Sequence, residues 1–418
     1  MVPSDWQEDV LINVLDKIID YRGQSVPKAE SGIPLITARN VRFGYLNFGS
    51  EEFIDESQFE RWSTRGTPKK GDILFTTEAP LGMACRFPES GTYGVGQRTV
   101  TLRTNSKLSS EFLLYFLLSE RGQRLIDIRS SGSTAKGIKS SELKKVKILL
   151  PVCVDEQRKI AKILSTWDKA ISTTERLIEN SKQQKKALMQ QLLTGKKRLI
   201  DESGKPFEVE WEEVSLEEHI ESFTNGYAFT ASNYKTNGIP ILTMGNIGLD
   251  GSFNSRISKR NYWESDKSLD KYLIAKGDLL IAMTDVTPDK NLIGRMTIVN
   301  IDEVFYLNQR VGLIRLKSSV DTTFLKYLSN DLKWRKYSIA VSASGVQANM
   351  STKDIKKGKL QLPSIEEQQK IASVLSSADK EIELLEQQLA DLKQEKKALM
   401  QQLLTGKRRV KVDDKEVA

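Results

Sequence analysis

The chain has 418 residues, of which 28% are charged and 39% are hydrophobic, and its formal net charge at pH 7 is +8. This length predicts two or three domains, each large enough to have a core of its own. No apolar run approaches the roughly 18 residues of a membrane span, and the first residues lack the pattern of a secretory signal, so we expect a cytoplasmic protein with no membrane partner. The positive charge suits a polyanionic partner, although it suits an ordinary basic protein as well.

The rarity of cysteine and histidine limits the chemistry that this chain can perform. Cys85 and Cys153 lie far apart without CxxC spacing, so we expect both to be reduced and no metal to be bound. The single histidine, His219, is interpreted as a partly packed side chain on a short helix. Ser-His-Asp triads and HExxH zinc sites are therefore excluded. There is also no GxxxxGK[ST] loop, no GxGxxG and no Asn-Pro-Pro-aromatic motif, and we predict no catalytic residue.

The sequence contains two copies of one plan. The segment KKALMQQLLTGK at 185–196 recurs without change at 396–407. Upstream of it, GIPLITARN at 32–40 matches GIPILTMGN at 238–246, and KGDIL at 70–74 matches KGDLL at 276–280. Gln97-Arg98 likewise matches Gln309-Arg310. Self-similarity over so long a period determines the architecture before any local feature does.

Each half begins with a globular part of mixed secondary structure. Short apolar runs bounded by Gly, Pro and Asn predict strands at 33–37, 72–77 and 100–102, whereas 112–118 and 324–328 are predicted to be helical. The fold class is therefore α+β. We place the first globular domain at 1–151 and the second at 199–363, with helical segments at 152–198 and 364–409 and a tail at 410–418.

The two helical segments carry apolar residues at alternating steps of three and four, which is the spacing of a heptad seam. Carboxylates in each first turn and glycines at 195 and 406 are typical of helix ends, and each helix should have about 40 residues and a length of roughly 60 Å. We expect the helices to pair antiparallel with each other. The alternative is that each helix packs separately on its own domain. The seam residues are Ile160, Leu164, Trp167, Ile171, Leu188, Leu192, Ile371, Leu375, Ile382, Leu385, Leu399 and Leu403.

Two similar basic domains joined by paired helices suit the measurement of spacing along double-stranded DNA. Polar and basic residues in the loops between strands are suited to contacts with base edges and phosphates. The candidates in the first half are Thr37, Arg39, Asn40, Thr76, Thr77, Arg98, Ser133, Thr134, Lys136 and Lys139. Those in the second half are Thr243, Asn246, Thr284, Asp285, Arg310, Ser344, Gln347 and Asn349.

Structural interpretations of these residues stay open at the level of sequence. Asn40 and Asn246 follow predicted strands, where asparagine also stabilises a turn through its own side chain. The Ser/Gly-rich loops at 130–137 and 342–349 can expose backbone N–H groups to a phosphate, but their composition is also that of an ordinary loop.

Taken in order and given twice, these motifs resemble the specificity subunits of Type I restriction-modification enzymes. The resemblance rests on the GIP and KGD segments, on KKVKILLP at 144–151 and KKGKLQLP at 356–363, on EQRKIA at 156–161 and EQQKIA at 367–372, and on the repeated LLTGK. It spans nearly the whole chain, and it implies two target-recognition domains separated by antiparallel spacer helices.

The resemblance also implies the partners. A specificity subunit does no chemistry itself. It would bind double-stranded DNA at a bipartite, asymmetric site and would hold two modification subunits, the methyltransferases, on its helices. The complex would recruit restriction subunits that translocate and cut DNA. No cofactor is expected on this chain, whereas S-adenosylmethionine, ATP and Mg²⁺ are expected in the partner subunits.

Two other functions remain as alternatives. One is a coiled-coil adaptor outside restriction-modification, for which DNA binding would be absent or independent of salt, whereas phosphate contacts require binding to weaken steeply as salt rises. The other is a stand-alone nuclease or methyltransferase, which only the basic charge supports.

Overall fold

The structure, a computed structural model, describes residues 3–49, 51–132, 136–256, 260–342 and 348–412. In it the chain divides into two compact units. Unit 1 consists of the described residues of Met1–Arg176 and Gln387–Ala418, and unit 2 consists of those of Leu177–Glu386. Each unit therefore combines one globular half with a portion of each long helical segment.

Unit 1 contains ten strands and five short helices among its described residues, followed by the start of a long helix. The strands are β1 Trp6–Val10, β2 Leu15–Asp20, β3 Lys28–Ala29, β4 Ile33–Ile36, β5 Phe53–Ile54, β6 Ile73–Thr76, β7 Ala84–Arg86, β8 Gly94–Val95, β9 Thr99–Thr104 and β10 Lys147–Pro151. The helices are α1 Leu11–Val14, α2 Glu56–Trp62, α3 Ser110–Leu118, α4 Glu120–Ile128 and α5 Ser140–Leu143, with a 3₁₀ turn at Ser63–Arg65, and the long helix is α6 Val154–Leu192.

The strands of unit 1 form two four-stranded sheets and one strand pair. The larger sheet has the order β2-β9-β6-β7 with antiparallel neighbours throughout. The smaller sheet has the order β3-β5-β4-β8, in which β4 and β8 are parallel. Strand β6 is buried along its whole length, which explains why its sequence ILFT is an uninterrupted run rather than an alternating one. The main core lies where α3, buried from Phe112 to Leu118, packs with this sheet.

Unit 2 repeats the plan with additional short elements. Its strands are β11 Glu212–Ser215, β12 Ile220–Asn225, β13 Ile239–Leu242, β14 Tyr262–Trp263, β15 Leu273–Ile274, β16 Leu279–Ala282, β17 Thr284–Asp285, β18 Met296–Ile298, β19 Phe305–Leu307, β20 Val311–Leu316, β21 Ala348–Asn349 and β22 Lys359–Leu362. Its helices are α7 Leu216–His219, α8 Thr322–Leu328, α9 Leu332–Val341, α10 Thr352–Lys357 and the long α11 Ile365–Leu403, with 3₁₀ turns at Ala231–Asn233, Met244–Asn246 and Lys267–Tyr272.

The sheets of unit 2 correspond to those of unit 1. The larger sheet has the order β12-β20-β16-β18, and the smaller sheet has the order β14-β13-β19-β15 with β13 and β19 parallel. In each unit the opening tryptophan packs edge-to-face on a helix phenylalanine, with ring centroids 6.3 Å apart for Trp6 and Phe112 and 6.3 Å for Trp211 and Phe324. The α+β fold, the internal repeat and the strands and helices predicted from the sequence are confirmed, with ends that differ by at most two residues.

Both long helices have 39 residues, close to the predicted 40. A buried glutamine fastens the first turns of each helix to its unit. Gln157 accepts a hydrogen bond from the Ser109 N–H at 2.8 Å and donates to the Pro151 carbonyl at 2.9 Å. Gln368 accepts from the Asp321 N–H at 2.9 Å and donates to the Pro363 carbonyl at 2.9 Å.

The helix ends also follow the prediction. Helix α6 ends three residues before Gly195 and α11 ends three residues before Gly406. Both glycines have positive φ, 68° and 71°, a conformation that favours glycine because it has no Cβ atom.

Within each unit the two long helices run antiparallel. In unit 1, Glu175 and Asp168 of α6 pair with Lys393 and Lys396 of α11, so the numbers rise on one helix as they fall on the other along the pair. In unit 2, Lys182 and Lys185 of α6 pair with Glu386 and Asp379 of α11, again in opposite directions along the two helices. Separate packing of each helix on its own domain is therefore wrong.

The two cysteines and the histidine lie as expected. Cys85 is buried and Cys153 is exposed, and both are free thiols. Burial raises the pKa of the Cys85 thiol to about 12, so it is protonated at neutral pH. His219 ends the short helix α7, is partly exposed, and its Nδ1 lies 2.8 Å from the Ser319 hydroxyl oxygen.

Candidate nucleic-acid interface

In unit 1 a buried asparagine holds the turn that follows β4. The Asn40 side chain accepts a hydrogen bond from the Thr37 N–H at 2.9 Å and donates one to the Asn47 carbonyl at 3.0 Å. Asn40 is 2% exposed, whereas its neighbour Arg39 is exposed. The turn at 37–40, which we call the asparagine turn, thus presents an arginine from a backbone that the asparagine fixes.

Unit 2 has the same asparagine turn at 243–246 after β13. Asn246 accepts from the Thr243 N–H at 2.9 Å and donates to the Asn254 carbonyl at 2.9 Å. The residue before the asparagine is Gly245, which is also exposed. The two turns therefore have one geometry, but an arginine in unit 1 is replaced by a glycine in unit 2.

Next to the asparagine turn in unit 1 lies the pair Gln97-Arg98, directly before β9. Both residues are exposed. The Arg98 carbonyl accepts a hydrogen bond from the Thr77 N–H at 2.9 Å, which ties the backbone of the pair to the end of β6. The Arg98 guanidinium lies 3.2 Å from the Glu78 carboxylate in an ion pair at the surface.

The equivalent pair in unit 2 is Gln309-Arg310, directly before β20. Both residues are again exposed, and the Arg310 carbonyl accepts from the Met283 N–H at 3.0 Å. The Gln309 N–H donates to the Tyr227 carbonyl at 2.9 Å. Among the described residues no ion pair is found for Arg310, which in this respect differs from Arg98.

The asparagine turn and the Gln-Arg pair of unit 1 line one cleft of about 400 Å³. The ion pair of Lys28 and Glu52, 2.5 Å apart, lies in its wall. The sequence-predicted residues that this cleft brings together are Thr37, Arg39 and Arg98.

The Ser/Gly loop of unit 1 returns to the same region. Ser131 and Gly137 exchange two backbone hydrogen bonds of 2.9 Å, and the Ile138 N–H donates to the Thr77 carbonyl at 2.9 Å. Lys139 is exposed, and Lys136 is exposed in an ion pair with Asp127. The backbone between the two predicted lysines is therefore hydrogen-bonded to Thr77, whose N–H also donates to the Arg98 carbonyl.

In unit 2 the last residues of the corresponding segment, Ala348–Asn349, form β21, which pairs antiparallel with β17. The Thr284 hydroxyl donates to the Asn349 side-chain oxygen at 3.0 Å, and the Met350 N–H donates to the Met283 carbonyl at 2.9 Å. Asn349 is exposed, whereas Thr284 is 5% exposed. Among the described residues of this segment, Asn349 faces solvent.

Six of the predicted contact residues are buried in the free protein, and for these we correct the prediction. Their side-chain polar atoms are hydrogen-bonded inside the chain and have no surface to offer to a base or a phosphate. They build the backbone that carries the exposed residues. The six are Asn40, Asn246, Thr76, Thr77, Thr284 and Asp285, which are 2%, 1%, 0%, 1%, 5% and 2% exposed.

Asp285 shows how such a residue acts. Its carboxylate accepts hydrogen bonds from the N–H groups of Thr287 at 2.7 Å, Leu292 at 2.5 Å and Ile293 at 3.2 Å. Burial by itself would raise the pKa of Asp285, but the backbone hydrogen bonds outweigh it and hold the pKa below its ordinary value. A carboxylate held in this way organises its loop and would repel a phosphate.

Four further predicted residues, Ser133, Thr134, Ser344 and Gln347, lie outside the described residues. Conversely, the candidate residues chosen from the sequence omitted Gln97 and Gln309. The signal for both was present, because each precedes the selected arginine and recurs in the second half.

The predicted seam residues lie mostly in the chain's own cores. Ile160, Leu164 and Leu403 pack in the core of unit 1, and Leu192, Ile371 and Leu375 pack in that of unit 2. All six are 0% or 1% exposed, so their assignment to a subunit-docking surface is wrong for these side chains. Ile382 is 9% exposed, and the remaining five, which retain partial exposure, are Trp167, Ile171, Leu188, Leu385 and Leu399.

A polar cluster fastens the helix pair to the globular part of each unit. In unit 1 the Tyr115 hydroxyl donates to Asp168 at 2.7 Å, and Lys396 pairs with the same carboxylate. In unit 2 Tyr327 donates to Asp379 at 2.5 Å, and Lys185 pairs with it. Burial, followed by the neighbouring aspartate, raises the pKa of both tyrosines, so both hydroxyls stay protonated and can donate.

A buried carboxylate adds a second attachment in each unit. Glu156, 3% exposed, accepts two hydrogen bonds of 2.9 Å from Arg409. Glu367, 0% exposed, accepts bonds of 2.8 and 2.7 Å from Arg198. The arginines follow the repeated segment, so the end of each repeat is tied to the start of the other long helix.

No group of three or more His, Cys, Asp or Glu side chains in the described part of the chain is arranged to hold a metal ion. Over the same residues, we find no helix with the length and hydrophobicity that crossing a bilayer would require.

Comparison with known proteins places the chain in a family. The sequence model described as "Type I restriction modification DNA specificity domain" matches residues 31–182 and 208–394, which is most of the chain. The chain belongs to this family of Type I restriction-modification DNA specificity proteins, and the two matched segments are its repeated DNA specificity domains.

Two individual relatives are similar in sequence to nearly the whole chain. The chain is 27% identical over 424 residues to the Type I restriction enzyme MjaVIII specificity subunit of Methanocaldococcus jannaschii, covering 98% of this chain and 94% of that protein. It is 28% identical to the putative MjaX specificity subunit of the same organism, covering 98% and 95%. The crystal structure of the S subunit of a Type I restriction-modification system from M. genitalium has the same fold, with a TM-score of 0.57 at 16% identity over 99% of this chain and 97% of that one.

Proposed function

We propose that this chain is the DNA specificity subunit of a Type I restriction-modification enzyme. Each of its two recognition domains reads one half of a bipartite, asymmetric site in double-stranded DNA. The observation that carries the proposal is the duplicated platform: an asparagine turn and a Gln-Arg pair, built on equivalent backbone hydrogen bonds in both units, with exposed side chains that differ between them.

The chain serves recognition and not catalysis. The polar and basic groups on the platform are donors and acceptors suited to base edges and phosphates. Methyl transfer to adenine and ATP-dependent cleavage belong to the partner subunits, which bring S-adenosylmethionine, ATP and Mg²⁺ with them.

The long helices are the docking elements for two modification subunits. Both copies of the repeated segment expose the same side chains, among them Lys186 and Gln190 in the first copy and Lys397 and Gln401 in the second. Two copies of one surface suit two copies of one partner. The restriction subunits join the complex that these contacts assemble.

A methylation map tests the proposal directly. The chain is expressed with its modification subunits in cells without other methylation, and modified adenines are located by single-molecule sequencing. We expect one bipartite motif with a fixed gap. Replacing residues 1–151 with the same region of a relative should change one half-site and leave the other half-site intact. An active complex that methylates adenines without a common motif would refute the proposal. A chimera in which both half-sites change would also refute it.

Two simple measurements address the alternatives. DNA binding by the assembled complex should weaken steeply between 50 and 200 mM salt, on the order of 10³-fold for six phosphate contacts, whereas an adaptor without DNA contacts shows no such slope. The purified chain alone, incubated with DNA and either Mg²⁺ or S-adenosylmethionine, should give no turnover. Turnover by the chain alone would establish a stand-alone enzyme.

A further inference from the structure

We infer that the Gln-Arg pairs, Gln97-Arg98 and Gln309-Arg310, are base-reading residues of the two half-sites, and that Arg39, which unit 2 replaces with Gly245, reads one additional base pair in the half-site of unit 1. This inference rests on the proposed function and assigns specificity within it.

The backbone of each pair is fixed, and its side chains are exposed. In unit 1 the Gln97 side-chain amide donates to the Gln24 carbonyl at 2.5 Å and Arg98 pairs with Glu78, and both side chains would exchange these surface contacts for DNA. In unit 1 the Gly96 N–H donates to the Ile36 carbonyl at 2.8 Å, and the Arg98 carbonyl accepts from Thr77. The pair then leads into β9, which has a neighbour on both sides in its sheet. A side chain presented from a rigid element loses less freedom on binding than one presented from a mobile loop.

The same arrangement holds in unit 2. The Asn308 N–H donates to the Leu242 carbonyl at 3.2 Å, and the Arg310 carbonyl accepts from Met283. Strand β20 likewise lies inside its sheet, between β12 and β16. Two exposed polar side chains are thus kept at one position of the fold in both units, although neither contributes to a core.

The chemistry of the pair matches base edges. Arginine contacts guanine through two parallel hydrogen bonds to O6 and N7, and glutamine contacts adenine through N6 and N7. Lysine in place of arginine keeps the charge but loses the planar fork, which weakens bidentate contacts to guanine and to phosphate alike. Loss of a base contact relaxes one position of the motif, whereas loss of a phosphate contact weakens binding to all sequences equally. The Arg98 guanidinium lies 3.2 Å from the Glu78 carboxylate, and both side chains are exposed, so this pair can open when the guanidinium meets a base.

Because the pairs are identical, they cannot by themselves give two different half-sites. The neighbouring positions differ. Arg39 is exposed in the cleft that also contains Gln97 and Arg98, whereas Gly245 has no side chain. Glu52, whose carbonyl accepts from the Leu35 N–H, is matched by Asn261, whose carbonyl accepts from Ile241, each at 2.8 Å. The difference in charge and donors therefore lies directly beside the shared pair.

The test is a methylation map of complexes that carry Arg98→Lys, Arg98→Ala, Arg310→Lys or Arg39→Gly. Arg98→Lys should reduce discrimination at one position of the unit 1 half-site on the order of 10- to 100-fold, and Arg310→Lys should do so only in the other half-site. Arg39→Gly should relax a different position of the unit 1 half-site. Arg61→Ala, an exposed arginine on α2, is the charge control and should leave the motif unchanged.

Gln97→Ala and Gln309→Ala supply a second readout, and each should relax one position of its own half-site. All substitutions are at exposed side chains, so thermal unfolding of the variants should match that of the parent. An unchanged motif in Arg98→Lys, Arg98→Ala and Arg310→Lys, with binding weakened equally for all sequences, identifies phosphate contacts and overturns the inference. If the parent complex itself shows no bipartite motif, the proposed function fails instead.

Discussion

Replacing Glu367 with glutamine tests whether a buried ion pair fastens α11 to unit 2. The Glu367 carboxylate is 0% exposed and accepts two hydrogen bonds from Arg198, with a third from the Trp211 indole N–H at 3.3 Å. Removing one partner of a buried pair costs about 3–5 kcal/mol. The Arg198 side chain is 23% exposed, so water can partly hydrate its guanidinium after the substitution. We therefore expect a loss of stability at the lower end of this range, about 3 kcal/mol.

The internal repeat provides a matched comparison. Glu156→Gln breaks the equivalent pair in unit 1, but there the Arg409 side chain is 40% exposed and also pairs with Asp5. We therefore expect a smaller loss, about 1 kcal/mol, because an exposed guanidinium is solvated without its partner. Glu175→Gln, in an ion pair whose side chains are 49% and 53% exposed, is the surface control, for which we expect a change within about 0.5 kcal/mol.

The assay is urea unfolding followed by circular dichroism, with hydrogen exchange by mass spectrometry to assign the loss to a unit. The expected order of destabilisation is Glu367→Gln, then Glu156→Gln, then Glu175→Gln. Equal losses in the first two variants would show that partner exposure does not set the magnitude. A loss below about 1 kcal/mol for Glu367→Gln would refute the view that this carboxylate holds the helix.

Three further changes test the attachments inside the units. Asn246→Ala removes both side-chain hydrogen bonds of the second asparagine turn and should lower the free energy of unfolding in urea by about 1–3 kcal/mol. It should relax the unit 2 half-site alone, and a changed unit 1 half-site would contradict the assignment of this turn to unit 2. Asp285→Asn should lower the free energy of unfolding at pH 7, because the charged Asp285 carboxylate, whose pKa is lowered in the folded state, stabilises that state. The difference from the parent should shrink as pH falls below about 4, where the carboxylate becomes protonated. A constant difference from pH 7 to pH 2 would disprove the assignment. Gln368→Leu leaves the Asp321 N–H without its acceptor and should lower the free energy of unfolding by about 2 kcal/mol. Gln369→Leu, at the exposed neighbouring position, is the control and should leave stability nearly unchanged. Equal losses of stability in the two variants would rule out a stabilising role for the buried contact.

The repeat made much of the fold predictable. The seams predicted two long helices, since apolar residues at steps of three and four have to lie along one side of a helix. The glycines at 195 and 406 predicted the helix ends, because the backbone there adopts a positive φ. Antiparallel pairing was predicted because each long apolar seam needs a partner, which the other helix of the same chain can supply. It is confirmed within each unit.

The candidate interface was predicted less completely. Polar residue types near strand ends identified the correct segments, but they did not separate side chains that face solvent from those that hold the backbone. Arg39 and Asn40 are adjacent in sequence, yet one is exposed and the other is 2% exposed. Which of two neighbours turns inward depends on the contacts that the folded chain provides, and the Asn47 carbonyl is such a contact for Asn40.

The sequence by itself determined that this protein has two equivalent recognition domains and two paired helices. Both follow from the order of residues alone, because a duplication and a hydrophobic periodicity can be identified without knowing the fold. Only the tertiary structure decided that the apolar seam mostly fills the chain's own cores and that Gln97 stands exposed beside Arg98. Burial depends on how elements pack, and a seam residue such as Leu164 can meet either a partner protein or its own domain. Local spacing is the same in both cases, so contacts between distant segments make the difference.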